Sequence, residues 1–424
     1  MTKKQKNINP SSLPLVVLDL GSSGVRAMAA ERVDYDTLRI LAYEHSNQNA
    51  RIEHGVVANS SNIAFMINEA IRLLCNRLDI QPIPAACVLL GGQSMQTVPV
   101  KSHRDQVVKQ VVSDALLDEL EEECKNKIEN KYPSLAVLGL VPCYYIADGV
   151  MQNEAPSLDQ RVRNIEAHYT AFVGNRALVD KVSASFDRAG KSIDMNIIRP
   201  EALLSAFAAS EPEILDEGCA VLDFGAETMT LSVFKGDSYL LTHVFANGSE
   251  ALTDAIASHD ILLTSARKAK EQIGVASPRF LEKDAKYRLK SANGESTTII
   301  SLSEMAGWIE EKLDLIMAPV LEALKPYEGQ IGKILLTGGG SQLNGLLEYL
   351  QPKTSIEVGY GDHSQLLAAD TDEEWYSPEY SSLIGGLIIG ADYRENHPNR
   401  VIAPPKIIDK AKGIILDVFG TNQI

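Results

Sequence analysis

The chain is predicted to be an α/β protein made of a duplicated domain, with a cleft between the two copies. Three observations carry this. Strand-like and helix-like stretches alternate along the sequence, as in α/β folds. Its 424 residues exceed what a single hydrophobic core usually serves. Most telling, one pattern occurs twice, half a chain apart. Val16-Val17-Leu18-Asp19-Leu20-Gly21-Ser22-Ser23-Gly24 runs into Val25–Met28, and Ala220-Val221-Leu222-Asp223-Phe224-Gly225-Ala226-Glu227-Thr228 runs into Met229–Val233. Each copy is an apolar strand, then Asp-x-Gly, then small or hydroxylated residues, then a second apolar run.

Composition narrows the function classes. An apolar fraction of 45% is ample for buried cores. A net charge of −16 favours solubility and argues against general nucleic-acid affinity. Cys75, Cys87, Cys124, Cys143 and Cys219 show neither metal-knuckle nor redox spacing, and an odd count without a signal peptide suits a reducing cytoplasm. Residues 1–14 are basic at the start, lack an apolar core segment and read as a flexible tail. Leu383–Ala391 is apolar but shorter than the ~20 residues a bilayer span needs, so it reads as a buried helix.

The elements follow in order. Residues 15–33 are strand, turn, strand, with short extended pieces at 38–43 and 55–58. Ile63, Ile67, Ala70, Ile71 and Leu74 recur at helical spacing over 60–78, with Ser60 or Ser61 as N-cap. Pro82 and Pro84 precede a buried strand at Ala86–Leu90. Leu116, Leu117, Leu120 and Ile128 mark an amphipathic helix over 113–131 whose glutamates form a solvated face. Strands are expected at 135–146, 168–173 and 193–199, and helices at 177–189 and 201–209. Beyond the second repeat come helices at 250–257 and 262–273, a polar stretch over 274–299 with two extended pieces, and a long helix at 302–324. A strand at 331–337 enters Gly338-Gly339-Gly340, and a helix opens near Gln342.

The turns suggest a ligand. Glycine permits close approach of backbone to ligand, and Ser and Thr hydroxyls with exposed N–H groups cradle phosphate oxygens. Gly21, Ser22 and Ser23 in the first turn, and Gly225, Ala226, Glu227 and Thr228 in the second, are therefore candidate phosphate contacts. A carboxylate cannot bind phosphate directly but holds Mg2+ through retained waters, the role expected of Asp19 and Asp223. One such turn is an ordinary hairpin; two in matching contexts favour a phosphate chain and a metal between them. Gly338, Gly339, Gly340 and Ser341 follow a strand and offer flat backbone for the nucleoside side of the cleft.

Taken together, these residues resemble the actin superfamily, which includes heat-shock chaperone ATPases and sugar kinases, and within it the bacterial FtsA cell-division family. The likeness runs over about 15–392. It is carried by Leu18–Ser23, His54-Gly55-Val56-Val57-Ala58-Asn59, Leu222–Gly225 with Thr228-Met229, Leu336–Leu343 and Tyr380–Gly390. It implies an actin-like (ribonuclease H-like) duplicated two-domain fold with a nucleotide cleft and a small inserted subdomain. The implied division is a first domain at 15–79 and 166–215, an insert at 80–165 and a second domain at 216–392, with a partner-binding subdomain at about 258–325. A linker at 393–405 and a tail at 406–424 follow. The resemblance implies ATP and Mg2+ as cofactors, filament contacts through the insert, and docking of the acidic C-terminal tail of FtsZ.

By position, Glu201 resembles the acid that orients attacking water, which would make Glu201, Asp19 and Asp223 the catalytic set; Glu201 equally reads as a helix-start carboxylate favoured by the macrodipole. Lys270 resembles the family's lysine near the nucleoside, or is a solvated lysine. Departures are Ala226 and Glu227 in the second turn, Thr230 where relatives often have Asp, Gly24 for a basic residue and Arg267 for an acidic one. They favour nucleotide binding over turnover. Arg267, Lys268, Lys270, Arg279, Lys283, Lys286, Arg288 and Lys290 form a basic stretch that either meets an acidic tail or is a solvated loop. Ile407, Ile408, Ile414, Ile415, Leu416, Val418 and Phe419 with Lys410 and Lys412 read as a weak amphipathic membrane anchor, or as a tail packed on the body. The expected work is to polymerise and to tether FtsZ filaments to the inner, cytoplasmic face of an anionic membrane at the division site. A PilM-like scaffold of pilus assembly and a small-molecule kinase of the same superfamily are the alternatives.

Overall fold

The repeat in the sequence is a repeat of topology. The computed structural model describes residues 13–396 except 35–36, 47–51, 153–154 and 237. Lobe I opens with β1 (Leu15–Gly21), β2 (Gly24–Asp34) and β3 (Thr37–Ser46), followed by α1 (Ser60–Leu78) and β4 (Ala85–Leu90). An inserted unit comes next: β5 (Gln96–Val111), α2 (Asp114–Lys131), β6 (Leu135–Ala147), β7 (Val150–Gln152) and β8 (Arg161–Asn175). Lobe I then resumes with α3 (Arg176–Ala189), β9 (Ser192–Ile198) and α4 (Arg199–Ala208).

Lobe II contains β10 (Cys219–Phe224), β11 (Met229–Lys235), β12 (Ser238–Phe245), α5 (Glu250–Ala257), α6 (Leu263–Ile273), β13 (Lys286–Lys290), β14 (Thr297–Ser301) and α7 (Leu302–Leu324). It continues through β15 (Lys333–Thr337) and β16 (Glu357–Tyr360), and α8 (Ser381–Asn396) closes the described chain.

The lobe I sheet has the order β9-β4-β1-β2-β3, and the lobe II sheet the order β16-β15-β10-β11-β12. In both, the Asp-bearing strand is central. It pairs antiparallel with its hairpin partner and parallel with a later strand, Val17 facing Cys87 in one sheet and Asp223 facing Thr337 in the other. The first six residues of β1 and all of β10 are buried, as expected of apolar runs covered on both faces.

Local signals set several helix starts. Asn59, rather than Ser60 or Ser61, caps α1, its side chain accepting from the Ser61 and Asn62 N–H groups. A capping box between Ser301 and Glu304 starts α7. The insert differs from the expected 80–165. The strand β4 returns to the lobe I sheet, and the inserted sheet runs from Gln96 to Asn175 in the order β5-β8-β6-β7. Leu120, Cys124, Tyr145, Val162, Ile165 and Tyr169 form its own core.

The two lobes also share a core, in which Val17, Leu89, Ala202 and Phe207 of lobe I meet Val221, Phe234 and Leu335 of lobe II. The expected second domain, 216–392, loses its last helix to the other lobe. Although α8 follows lobe II in sequence, its Leu383, Ile384, Leu387 and Ile388 join this shared core against α4. The approach is close. A Cβ on Gly385 would collide with the backbone carbonyl of Ala202. The tail expected at 1–14 lies outside the described residues up to residue 12, as do the linker beyond 396 and all of 406–424.

Two glycines should respond oppositely to alanine. Gly385→Ala should destabilise by about 1–3 kcal/mol through overpacking at the Ala202 carbonyl. Gly307 lies inside α7 with open space where its Cβ would be, so Gly307→Ala should stabilise by about 0.5–1 kcal/mol. Urea unfolding of both variants checks the signs.

Candidate functional site

The two central strands end at the same cleft, at the carboxyl ends of their sheets, where α/β folds bind ligands. Hairpin register sets the first contact. Gly21 pairs with Gly24 across the turn, which places Asp19 directly opposite Arg26. Arg26 Nε donates to Asp19 Oδ2 at 3.1 Å, its Nη2 reaches the same oxygen, and its Nη1 donates to the Glu379 carbonyl at 2.9 Å. Arg199, the first residue of α4, supplies the second contact. Its Nη2 pairs with Asp19 Oδ1, and its Nη1 lies 3.5 Å from Asp223 Oδ2 in lobe II. One guanidinium therefore bridges the two repeat aspartates.

The electrostatics are those of a buried ion cluster. Asp19 is 0% exposed. Burial by itself would raise its carboxyl, but Arg199 and Arg26 outweigh burial and hold it below the ordinary carboxylate value. Burial likewise works against the charge on Arg26, and Asp19 more than restores it.

A cleft of about 630 Å³ surrounds the cluster, within the range of small-ligand sites. Gly21, Ser22, Ser23, Gly225, Ala226, Glu227, Thr228, Lys270, Gly338, Gly339 and Gly340 all line it, with Asp19 and Asp223. Gly339 is exposed. Gly338 and Gly340 are buried, and a Cβ on either would collide with Phe224, so those two serve the packing of their loop on β10. Ser341 is buried and donates to the Gly338 carbonyl at 2.7 Å, a brace for the loop. Lys270 donates to the Ser249 carbonyl at 3.0 Å, and burial lowers its pKa against the pull of Glu250 and Glu271. Arg267 pairs with Glu250.

Glu201 is not among the cleft residues. Successive helical side chains turn by about 100°, so a residue two positions after Arg199 faces the opposite side. Arg199 takes the cleft, and Glu201 is half-buried near Tyr239, where burial raises its carboxyl above the usual range. The helix start thus offers the cleft a cation where the sequence led us to expect a carboxylate.

Glu227 reaches across to lobe I. Its Oε2 accepts from the His54 backbone N–H at 2.6 Å, while Ser22 Oγ accepts from the Gly55 N–H at 2.8 Å. The His54-Gly55 turn is thereby held by both hairpins. Gly55 and Gly92 are in close backbone contact, which a Cβ on either would prevent.

The donor set tests the expected cofactors. Both Asp19 oxygens are committed to guanidinium groups, and Asp223 Oδ2 faces one of them. Among the described residues, no group of three or more His, Cys, Asp and Glu is placed to hold a metal. The aspartates do not fit Mg2+. A nucleotide does fit, on the cleft's volume, on exposed Gly339 and on the Ser22 hydroxyl, which accepts one bond and still has a proton to donate.

Comparison with known proteins gives the following. A family profile, cell division protein FtsA, matches residues 220–385. The cell division protein FtsA of Neisseria meningitidis serogroup B is 23% identical over 389 residues, covering 90% of this chain and 91% of the relative. That of Bacillus subtilis is 23% identical over 351 residues, covering 79% and 76%. Among solved structures, a chain of a PilM–PilN type IV pilus biogenesis complex superposes with a TM-score of 0.65 at 18% identity, covering 89% of this chain and 98% of that one. MreB5 of Spiroplasma citri bound to ADP gives 0.53 at 13%, covering 92% and 100%. These structures share the actin-like fold.

Asp19→Asn leaves two buried guanidiniums short of their counter-charge and should destabilise by about 3–5 kcal/mol at neutral pH. The folded pKa of Asp19 lies below its unfolded value near 3.8, so its contribution is complete above that value and is lost as pH falls through the folded pKa. The stability gap between the natural chain and Asp19→Asn should accordingly narrow on acidification below about pH 4, measured by urea unfolding across pH.

Proposed function

We propose that this chain, an actin-like protein of the FtsA cell-division family, binds ATP between its lobes, assembles into filaments and tethers FtsZ filaments to the inner face of the cytoplasmic membrane. The observation that carries this reading is the meeting of the two repeat hairpins around one cleft, joined through Arg199. A ligand seated there touches both lobes, so its binding favours the closed pair over an open one. The departures at the helix start and in the second hairpin suit a binding switch better than fast hydrolysis.

The surfaces support the partner assignments. On β13, Lys286, Arg288 and Lys290 alternate as exposed residues, a basic face on a two-stranded ribbon that suits an acidic peptide. The rest of the basic stretch contributes less, because Arg279 pairs with Glu310 and Arg267 with Glu250. Self-association suits the insert, where β5 is an edge strand with exposed Val107 and Val108. Among the described residues, no helix is long and apolar enough to cross a membrane. Attachment is assigned to residues 406–424, whose apolar side chains and lysines would bind weakly singly and firmly when a filament presents many copies.

Charge reversal at Lys286, Arg288 and Lys290 together should weaken binding of an FtsZ C-terminal peptide by at least ~tenfold at low salt, read by fluorescence anisotropy. Pelleting with anionic liposomes should lose the chain when residues 406–424 are removed. Undiminished pelleting would overturn the anchor, and loss of peptide binding alone would separate partner from membrane.

A further inference from the structure

We infer that the cleft takes its nucleotide polyphosphate without a divalent metal, with Arg26 and Arg199 serving as the cation between the two repeat aspartates. The inference rests on the nucleotide reading above and changes what that reading requires.

Charge and position both argue for it. Two carboxylates facing one Mg2+ sum to zero, and two carboxylates facing two guanidiniums sum to the same. Arg199 stands where such an ion would act, in contact with an aspartate from each lobe. Asp19 is sealed from solvent with both oxygens bonded to guanidiniums, so even a water-held divalent ion would reach it only by displacing such a bond, and it would sit beside two fixed positive charges.

The placement of Arg199 is otherwise unfavourable. It is the first residue of α4, at the positive end of the helix dipole, where a cation is disfavoured. Asp19 and Asp223 hold it there. Each Nη has two N–H groups and directs one at a carboxylate, so the guanidinium retains bonding capacity. Arginine also matches phosphate geometry bidentately, which a hydrated metal ion does not. The second hairpin has no arginine of its own, since Thr230 stands opposite Asp223 where Arg26 stands opposite Asp19. Arg199 therefore serves both turns.

Calorimetric titration of the full chain with ATP, in excess Mg2+ and in EDTA, tests this. The expected result is equal affinity within about twofold in the two conditions. Arg199→Gln should bind at least ~tenfold more weakly in EDTA and regain affinity in Mg2+, because removing the guanidinium exposes two carboxylates to the ion. Arg199→Lys keeps the charge and should remain insensitive to metal. Thermal melts of each variant separate loss of binding from loss of fold. If natural-chain affinity falls tenfold or more in EDTA, the inference is overturned while nucleotide binding stands. If ATP binds in neither condition, the nucleotide reading falls and the inference with it.

Discussion

A carboxylate sealed from solvent at the centre of a sheet survives in its charged form only if opposite charge is built in around it. Asp19 is such a group, and its two guanidinium partners organise the middle of the molecule. Arg26 ties the hairpin's return strand to its outgoing strand and reaches the backbone of Glu379 just before the closing helix. Arg199 fixes the start of α4 and, through Asp223, the end of the central strand in the opposite lobe. The relative placement of three strands, two helices and two lobes thus converges on one ion cluster.

Around that cluster the fold divides its labour. The central strands of the sheets are buried, and each presents one turn. The loops at 54–55 and 338–340 are packed so tightly on neighbouring backbone that glycine is required at Gly55 and Gly338. Lobe I contributes the insert at one end, and lobe II the ribbon β13–β14 with α7.

Much of this was legible in the sequence, and the reasons differ by residue. The duplicated strand–turn–strand pattern gave both sheets, because continuous apolar runs interrupted by Asp-x-Gly allow few other readings. The role of Arg26 was recoverable in principle: a two-residue turn closed at Gly21 and Gly24 forces Asp19 and Arg26 into register. Arg199 was hidden by a positional likeness that drew attention to Glu201, when helical rotation puts residues two apart on opposite sides. The insert's edges were misplaced because the proline break at 82–84 precedes a strand, β4, that belongs to lobe I, and because β8 runs through 165 to Asn175 with no turn signal between. The attachment of α8 to lobe I was invisible because chain order says nothing about which neighbour a glycine-bearing helix will lie against.

The contact between α8 and α4 has a mechanical consequence. Helices that meet carbonyl to glycine cannot slide past one another without steric overlap, yet they can rock about the point of touch. That leaves the seam at Gly385 and Ala202 as a fulcrum, with Arg199 a single turn away along α4. Any change at that arginine is therefore applied close to the seam that holds the closing helix on lobe I.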